Sequence, residues 1–173
     1  MTTLVLSVIG DDRTGLVDAL AGPIAAQGGS WNRSSLARLA GKFAGIVVVD
    51  VPSSNTDALI AQFHSLTAEG VLDIRVELAG EASPGDDGTT TRTLHLVGSD
   101  RPGIVSEIAK ALAAQGVSIE ELVTQVSSAP MSAEPLFEAT ATLRLPASVG
   151  MDDVQGALEQ IANELMVDLD FSE

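Results

Sequence analysis

One motif occurs twice in this chain. Residues 10–17 read GDDRTGLV and residues 98–105 read GSDRPGIV. Aligned without gaps, 9–30 and 97–118 are identical at 11 of 22 positions. The identities include Gly10/Gly98, Asp12/Asp100, Arg13/Arg101 and Gly15/Gly103. Such a repeat restricts the chain to folds in which one unit is made twice. The second copy then gains six residues around SSAPMSAE (127–134), after which Phe43 matches Phe137 and Val51-Pro52 matches Leu145-Pro146. Between the copies, GEASPGDDGTT (80–90) has no apolar periodicity and is rich in Gly, Pro, Ser and Asp, which is linker chemistry. The expected division is a first domain at 1–79, a linker at 80–91 and a second domain at 92–173. Units of roughly 80 residues can bury modest cores.

Each copy reads β-α-β-β-α-β. Short apolar runs at 3–9 and 92–98 predict strands. Helical spacing of Leu16, Leu20 and Ile24, and of Ile104, Ile108 and Leu112, predicts helices over 14–27 and 102–115. Two strands follow in each copy, at about 31–39 and 43–51 and at about 117–126 and 136–145, the β-branched GIVVVDV among them. A second helix (56–69 and 151–164) and a last strand (71–78 and 165–171) complete each unit. Asp12 and Asp100 are expected as helix N-caps, with Pro102 in a first turn. Gly28 and Gly116 suit the left-handed residue that closes a helix. Pro23, inside the first helix, is expected to kink or split it. The fold class is α+β: two ferredoxin-like βαββαβ units, each a four-stranded antiparallel sheet with two helices on one face. The bare sheet face needs cover from the other copy or another chain, so a homo-oligomer is expected.

Net charge is −15 over 173 residues: −3 in 1–79, −3 in 80–91 and −9 in 92–173. A surface this acidic repels phosphate backbones, which argues against direct nucleic-acid binding. There is no cysteine, hence no disulfide, thiolate nucleophile or Cys-ligated metal. The opening MTTLVLSVIGDD lacks a basic n-region. No apolar run approaches the length of about 20 residues that spans a bilayer, and a cytoplasmic protein without a membrane partner is expected. The two histidines, His64 and His95, have no partners in sequence that would make a metal site. No P-loop, dinucleotide fingerprint or repeated Ser-His-Asp set occurs. No cofactor, metal or catalytic residue is expected.

A βαββαβ unit with D-R-P-G-I/L-V at its first strand–helix corner resembles the ACT domain. SDRPGIVSEIAKALAAQGVSIEELVTQ (99–125) is the nearer copy and DDRTGLVDALAGPIAAQGGSWNRSSL (11–36) the looser one. Two such units and little else resemble the free-standing tandem ACT proteins, in particular the glycine cleavage system transcriptional repressors, with which the chain shares a turn, here LAGKF (39–43), and a loop extension in the second copy. The resemblance implies a non-catalytic regulator. It would sense a small ligand, an amino acid such as glycine, and act by contact with a protein partner such as a transcriptional regulator.

The corner itself has the chemistry for a zwitterion. The following helix presents free N–H groups and the positive end of its dipole to a carboxylate. Glycine lets a ligand approach the backbone, Arg can hold the carboxylate, and Asp can accept from an ammonium group. The candidate ligand-binding residues are Gly10, Asp11, Asp12, Arg13, Gly15, Leu16 and Asn32 in the first copy. In the second they are Gly98, Ser99, Asp100, Arg101, Gly103 and Ile104. Trp31 and its counterpart Ile119 are expected to pack in a core or interface. Two other readings stand beside this one. In one, the aspartates only cap helices in a ligand-free interaction module; in the other, Arg13 and Asn32 imitate the Arg/Asn pair of acylphosphatase-like hydrolases.

Overall fold

The computed structural model describes residues 1–80, 88–128 and 135–172. Within the expected linker, 81–87 lie outside the described residues, as do 129–134 of the expected insertion. The chain divides into two compact units, Met1–Ser83 and Pro84–Glu173.

In the first unit, β1 (Thr2–Asp11) leads into α1 (Leu16–Ala26), then β2 (Ser30–Leu39) and β3 (Lys42–Val51). A short 3-10 turn at Ser53–Asn55 opens α2 (Thr56–Ala68), and β4 (Asp73–Leu78) closes the unit. The second unit repeats the order with β5 (Thr90–Ser99), α3 (Ile104–Ala114), β6 (Ser118–Ser128), β7 (Pro135–Leu145), α4 (Met151–Leu165) and β8 (Val167–Ser172). The sheets run β2-β3-β1-β4 and β6-β7-β5-β8, and every neighbouring pair is antiparallel. The expected fold class is the observed one.

Period-two alternation sorts the central strands. In β1, Leu4, Leu6 and Val8 are buried while Ser7, Ile9 and Asp11 are exposed. Val47, Val49 and Val51 of β3 join them, and α1 and α2 supply Leu16, Leu20, Ile24, Leu59 and Phe63. The second core is built alike from Leu94, Leu96, Ile104, Ile108, Leu112, Leu143, Leu145, Val154 and Leu158. Burying each such side chain contributes about 1.5–3 kcal/mol. Trp31 and Ile119 pack against these cores from the edge strands, as expected.

The helix ends separate the sequence expectations. Gly28 (φ 67°) and Gly116 (φ 72°) are left-handed, as expected. The Gly29 amide donates to the Ile24 carbonyl at 2.8 Å and the Val117 amide to the Leu112 carbonyl at 3.0 Å, closing Schellman-type ends. The N-termini differ from expectation. The residue before each helix is Gly15 (φ 93°) or Gly103 (φ 92°), in the left-handed region and with no side-chain cap. Asp12 and Asp100 stand three residues further back, so neither caps a helix. Pro23 neither splits nor ends α1, which runs unbroken from Leu16 to Ala26. Proline removes a single donor from the ladder. The buried Leu16, Leu20 and Ile24 lie on both sides of that gap and fasten the whole helix to the sheet. Among the described residues no helix is long and apolar enough to cross a membrane.

Candidate functional site

The first repeated corner follows β1. The amide of Asp12 donates to the Gly41 carbonyl at 2.9 Å, tying the corner to the tip of the β2–β3 hairpin. That tip is a two-residue turn, Ala40 (φ 49°) and Gly41 (φ 77°), of the doubly left-handed kind that matches strand twist. The hairpin therefore carries Arg38 of β2 and Phe43 of β3 to the corner. Arg38 Nε lies 2.8 Å from Asp12 Oδ2. Lys42 Nζ donates to the Asp11 carboxylate, and this bond and the lysine charge hold the Asp11 carboxyl below its ordinary pKa. Arg13 forms no ion pair with any described residue.

The first helical hydrogen bond runs from the Ala19 amide to the Gly15 carbonyl at 2.9 Å. The amides just before Ala19 precede the ladder, at the positive end of the helix dipole. Between α1 and the edge strand β2 lies an open cleft of about 290 Å³, bounded by Asp12, Arg13, Gly15, Asp18, Arg38 and Phe43 among others. It offers cationic and N–H groups for a carboxylate, and Asp18 as an acceptor.

The second corner is built to the same plan with different chemistry. The Asp100 amide donates to the Pro135 carbonyl at 2.9 Å, and the Glu107 amide to the Gly103 carbonyl at 2.9 Å. Arg101 lies 3.9 Å from Glu107, an acid on the first turn of its own helix. The cavity between α3 and the sheet is about 30 Å³, and its wall is apolar throughout, with Ile104, Val105, Leu122 and Phe137 among its residues. Ser99 ends β5 opposite Leu136.

Several of the expected site residues have other surroundings. Gly10 and Gly98 lie on the core faces of their strands. A Cβ at Gly10 would stand 2.8 Å from a methyl of Leu72, and one at Gly98 would stand 2.3 Å from Val167. These glycines admit a crossing chain, and their service is to packing. Leu16 and Ile104 are 4% exposed and belong to the cores, each with an edge on its cavity.

Asn32 is not beside the corner. Asp11 pairs with Lys42, whereas Trp31 pairs with Val49 and Thr2 with Val51. α1 has carried the chain back along the sheet, so β2 begins at the far end. About eight residues of strand, roughly 26 Å, separate Asn32 from Asp12. Asn32 sits at a bulge between Trp31 and Arg33 and donates to the Asp50 carboxylate. Thr3 Oγ1 donates to the same carboxylate, and the bonds from Thr3 and Asn32 hold the Asp50 carboxyl below its ordinary range. The Arg13/Asn32 pairing behind the hydrolase reading is therefore not formed.

Residues 2–77 match the family model described as ACT domain. The first unit is an ACT domain, and the second repeats its fold. No curated protein matches the chain in sequence. A protein of unknown function from Galdieria sulphuraria is 28% identical, with a TM-score of 0.86 over 99% of this chain and 98% of its own. A provisionally assigned glycine cleavage system transcriptional repressor is 15% identical, with a TM-score of 0.71 over 99% of this chain and 96% of its own. The fold of both units thus recurs over entire solved chains, and the second likeness is one of fold alone.

The sequence motif omitted the cleft's far wall. Leu36, Arg38 and Phe43 reach the ACT corner from a hairpin more than twenty positions downstream. The LAGKF turn was the available signal: a tight turn from β2, which runs parallel to β1, into β3, which runs antiparallel to it, brings its flanking residues to the end of β1.

Proposed function

We propose that this protein is a non-catalytic regulator that senses a small carboxylate-bearing ligand, an amino acid, through its ACT-type units at 1–79 and 92–173. The observation that carries the reading is the open cleft at the β1–α1 corner of the ACT domain. Arg13, Arg38 and the leading amides of α1 converge there with Asp18. A carboxylate would take the cationic and N–H groups, and an ammonium group would face Asp18. Glycine heads the candidates because the repressor that shares the fold is described by the glycine cleavage system.

Ligand occupancy would shift the populations of two arrangements of the protein, and the difference would be read by a protein partner such as a transcriptional regulator. The charge of −9 on residues 92–173 favours a basic partner surface over nucleic acid. Action in the cytoplasm as a homo-oligomer belongs to the same proposal.

Thermal-shift titration with the twenty proteinogenic amino acids tests it. A true ligand at a hundred times its dissociation constant stabilises the chain by about 2.7 kcal/mol. An absence of any shift across the panel would refute the sensing reading and leave a ligand-free interaction module.

A further inference from the structure

The two repeated corners are not equivalent receptors. The cleft of the first unit, about 290 Å³, is lined by Asp12, Arg13 and Gly15 of its corner and by Arg38. In the second unit the apolar void of about 30 Å³ lies under α3, and of the motif only Ile104 and Val105 line it. The difference follows from a few substitutions between the copies. Arg38 pairs with Phe43 across β2–β3, and Val126 pairs with the matching Phe137 across β6–β7. Val126 therefore stands in the register of Arg38, and Asp100 has no strand-borne arginine opposite it. In the same register Leu122 replaces Ser34. Leu122 meets Ile104 and Val105 along the wall of the small cavity. Arg101 is turned toward Glu107, whose counterpart in α1 is Ala19. Arg13 forms no ion pair with Asp18, the acid in the first turn of α1, and both line the larger cleft.

We propose that the duplication has diverged in role: the chain holds one ligand, a small carboxylate, in the first unit's cleft, and the second unit's corner, with Val126 in the register of Arg38 and Arg101 turned to Glu107, binds none. This rests on the sensing reading above and specifies which corner performs it. The second corner keeps the turn because the turn has structural work. Gly103 supplies the left-handed step into α3, and the Asp100 amide ties the corner to the β7 end at Pro135. The repeated motif therefore conserves a backbone shape, while side chains outside the motif decide whether a guest fits.

The experiment is calorimetric titration of the full chain with each proteinogenic amino acid, together with Arg13→Gln and Arg101→Gln. Both arginines lie on the corners and neither is in a core. One molecule bound per chain is expected, with affinity lowered about tenfold or more by Arg13→Gln, the loss of a hydrogen bond to a charged group. Arg101→Gln should leave affinity within about twofold, since that side chain already has Glu107. Amide chemical-shift changes on titration should cluster at residues 12–18 and 36–43. Two molecules per chain, or equal losses in the two variants, overturn the divergence while sensing stands. Absence of binding by every amino acid overturns sensing and divergence together.

Discussion

At the scale of single residues, four glycines in one repeated motif divide into two kinds. Gly15 and Gly103 are there for a left-handed φ, and Gly10 and Gly98 for space. The sequence pattern shows only that glycine recurs. Its reason depends on which residues pack against it, and those are Val71 and Leu72 ahead of β4 and Val167 of β8, far away in sequence. Gly98→Ala tests the distinction. Its new methyl would press on the Cβ and Cγ1 of Val167, at 3.0 and 2.3 Å. Overpacking of this kind costs about 1–3 kcal/mol. Urea melts of the variant should show that loss, and ligand affinity should not change. A melt matching the parent would show that β8 yields freely. The misplacement of Asn32 has a related origin. Sequence distance from Arg13 is short, but a helix lies between them and reverses the direction of travel. Asn32 instead serves Asp50, whose lowered pKa has a consequence for stability. Its ordinary value is 3.8, and the bonds from Thr3 and Asn32 place the folded value below that. A depressed carboxyl stabilises the fold above its unfolded pKa and loses that contribution as pH falls through the folded one. Asp50→Asn is therefore expected to melt earlier than the parent at neutral pH. The two melts should converge in acid below the folded pKa. A gap that persists unchanged into strong acid would assign the effect to something other than the carboxylate.

At the scale of elements, periodicity was the readable signal, and termini were not. The apolar spacing in α1 and α3 located both helices, yet each begins two residues later than its pattern. A left-handed glycine cannot be part of a right-handed helix, so the start moves past it whatever the pattern says. Proline 23 is the opposite case. A local rule forbids it in a helix interior, and tertiary burial of Leu20 and Ile24 overrides the rule. The override has an energetic cost that remains in the molecule. Pro23 cannot donate to the carbonyl of Ala19, and the second unit, with Ala111 at the matching place, has no such gap. Pro23→Ala restores the rung and a better helix former. It should raise the stability of the first unit by roughly 1–3 kcal/mol, less than the full helix-interior difference because proline also stiffens the unfolded chain. Guanidinium melts followed by Trp31 emission report on that unit, since Trp31 is the sole tryptophan and packs on its core. A variant no more stable than the parent would mean that the helix already accommodates the ring without strain.

At the scale of the whole molecule, the repeat was sufficient to recover two copies of one fold, because among the described residues β1 to β4 with α1 and α2 follow the same pattern as β5 to β8 with α3 and α4. It was not sufficient to tell the copies apart in chemistry. The residues that separate them, Arg38 against Val126 and Ser34 against Leu122, lie on edge strands outside the motif. Edge positions are free to diverge because they belong to neither core: Leu122 is 44% exposed and Val126 54%. The cores, by contrast, are two closed sets of side chains, one in each unit. Duplication then permits one copy to change without unfolding the other, and this can be measured. Leu143 is fully buried in the second core and Leu6 in the first. Leu143→Ala leaves a cavity and costs about 2–5 kcal/mol where it acts. Hydrogen exchange should show the amides of β5 and β7 losing protection in that proportion. The amides of β1 and β3 should keep theirs, with Leu6→Ala giving the mirror pattern. Loss of protection in both units from either substitution would mean that the copies unfold as one cooperative body. The divergence of the second corner would then have been constrained by the stability of the first.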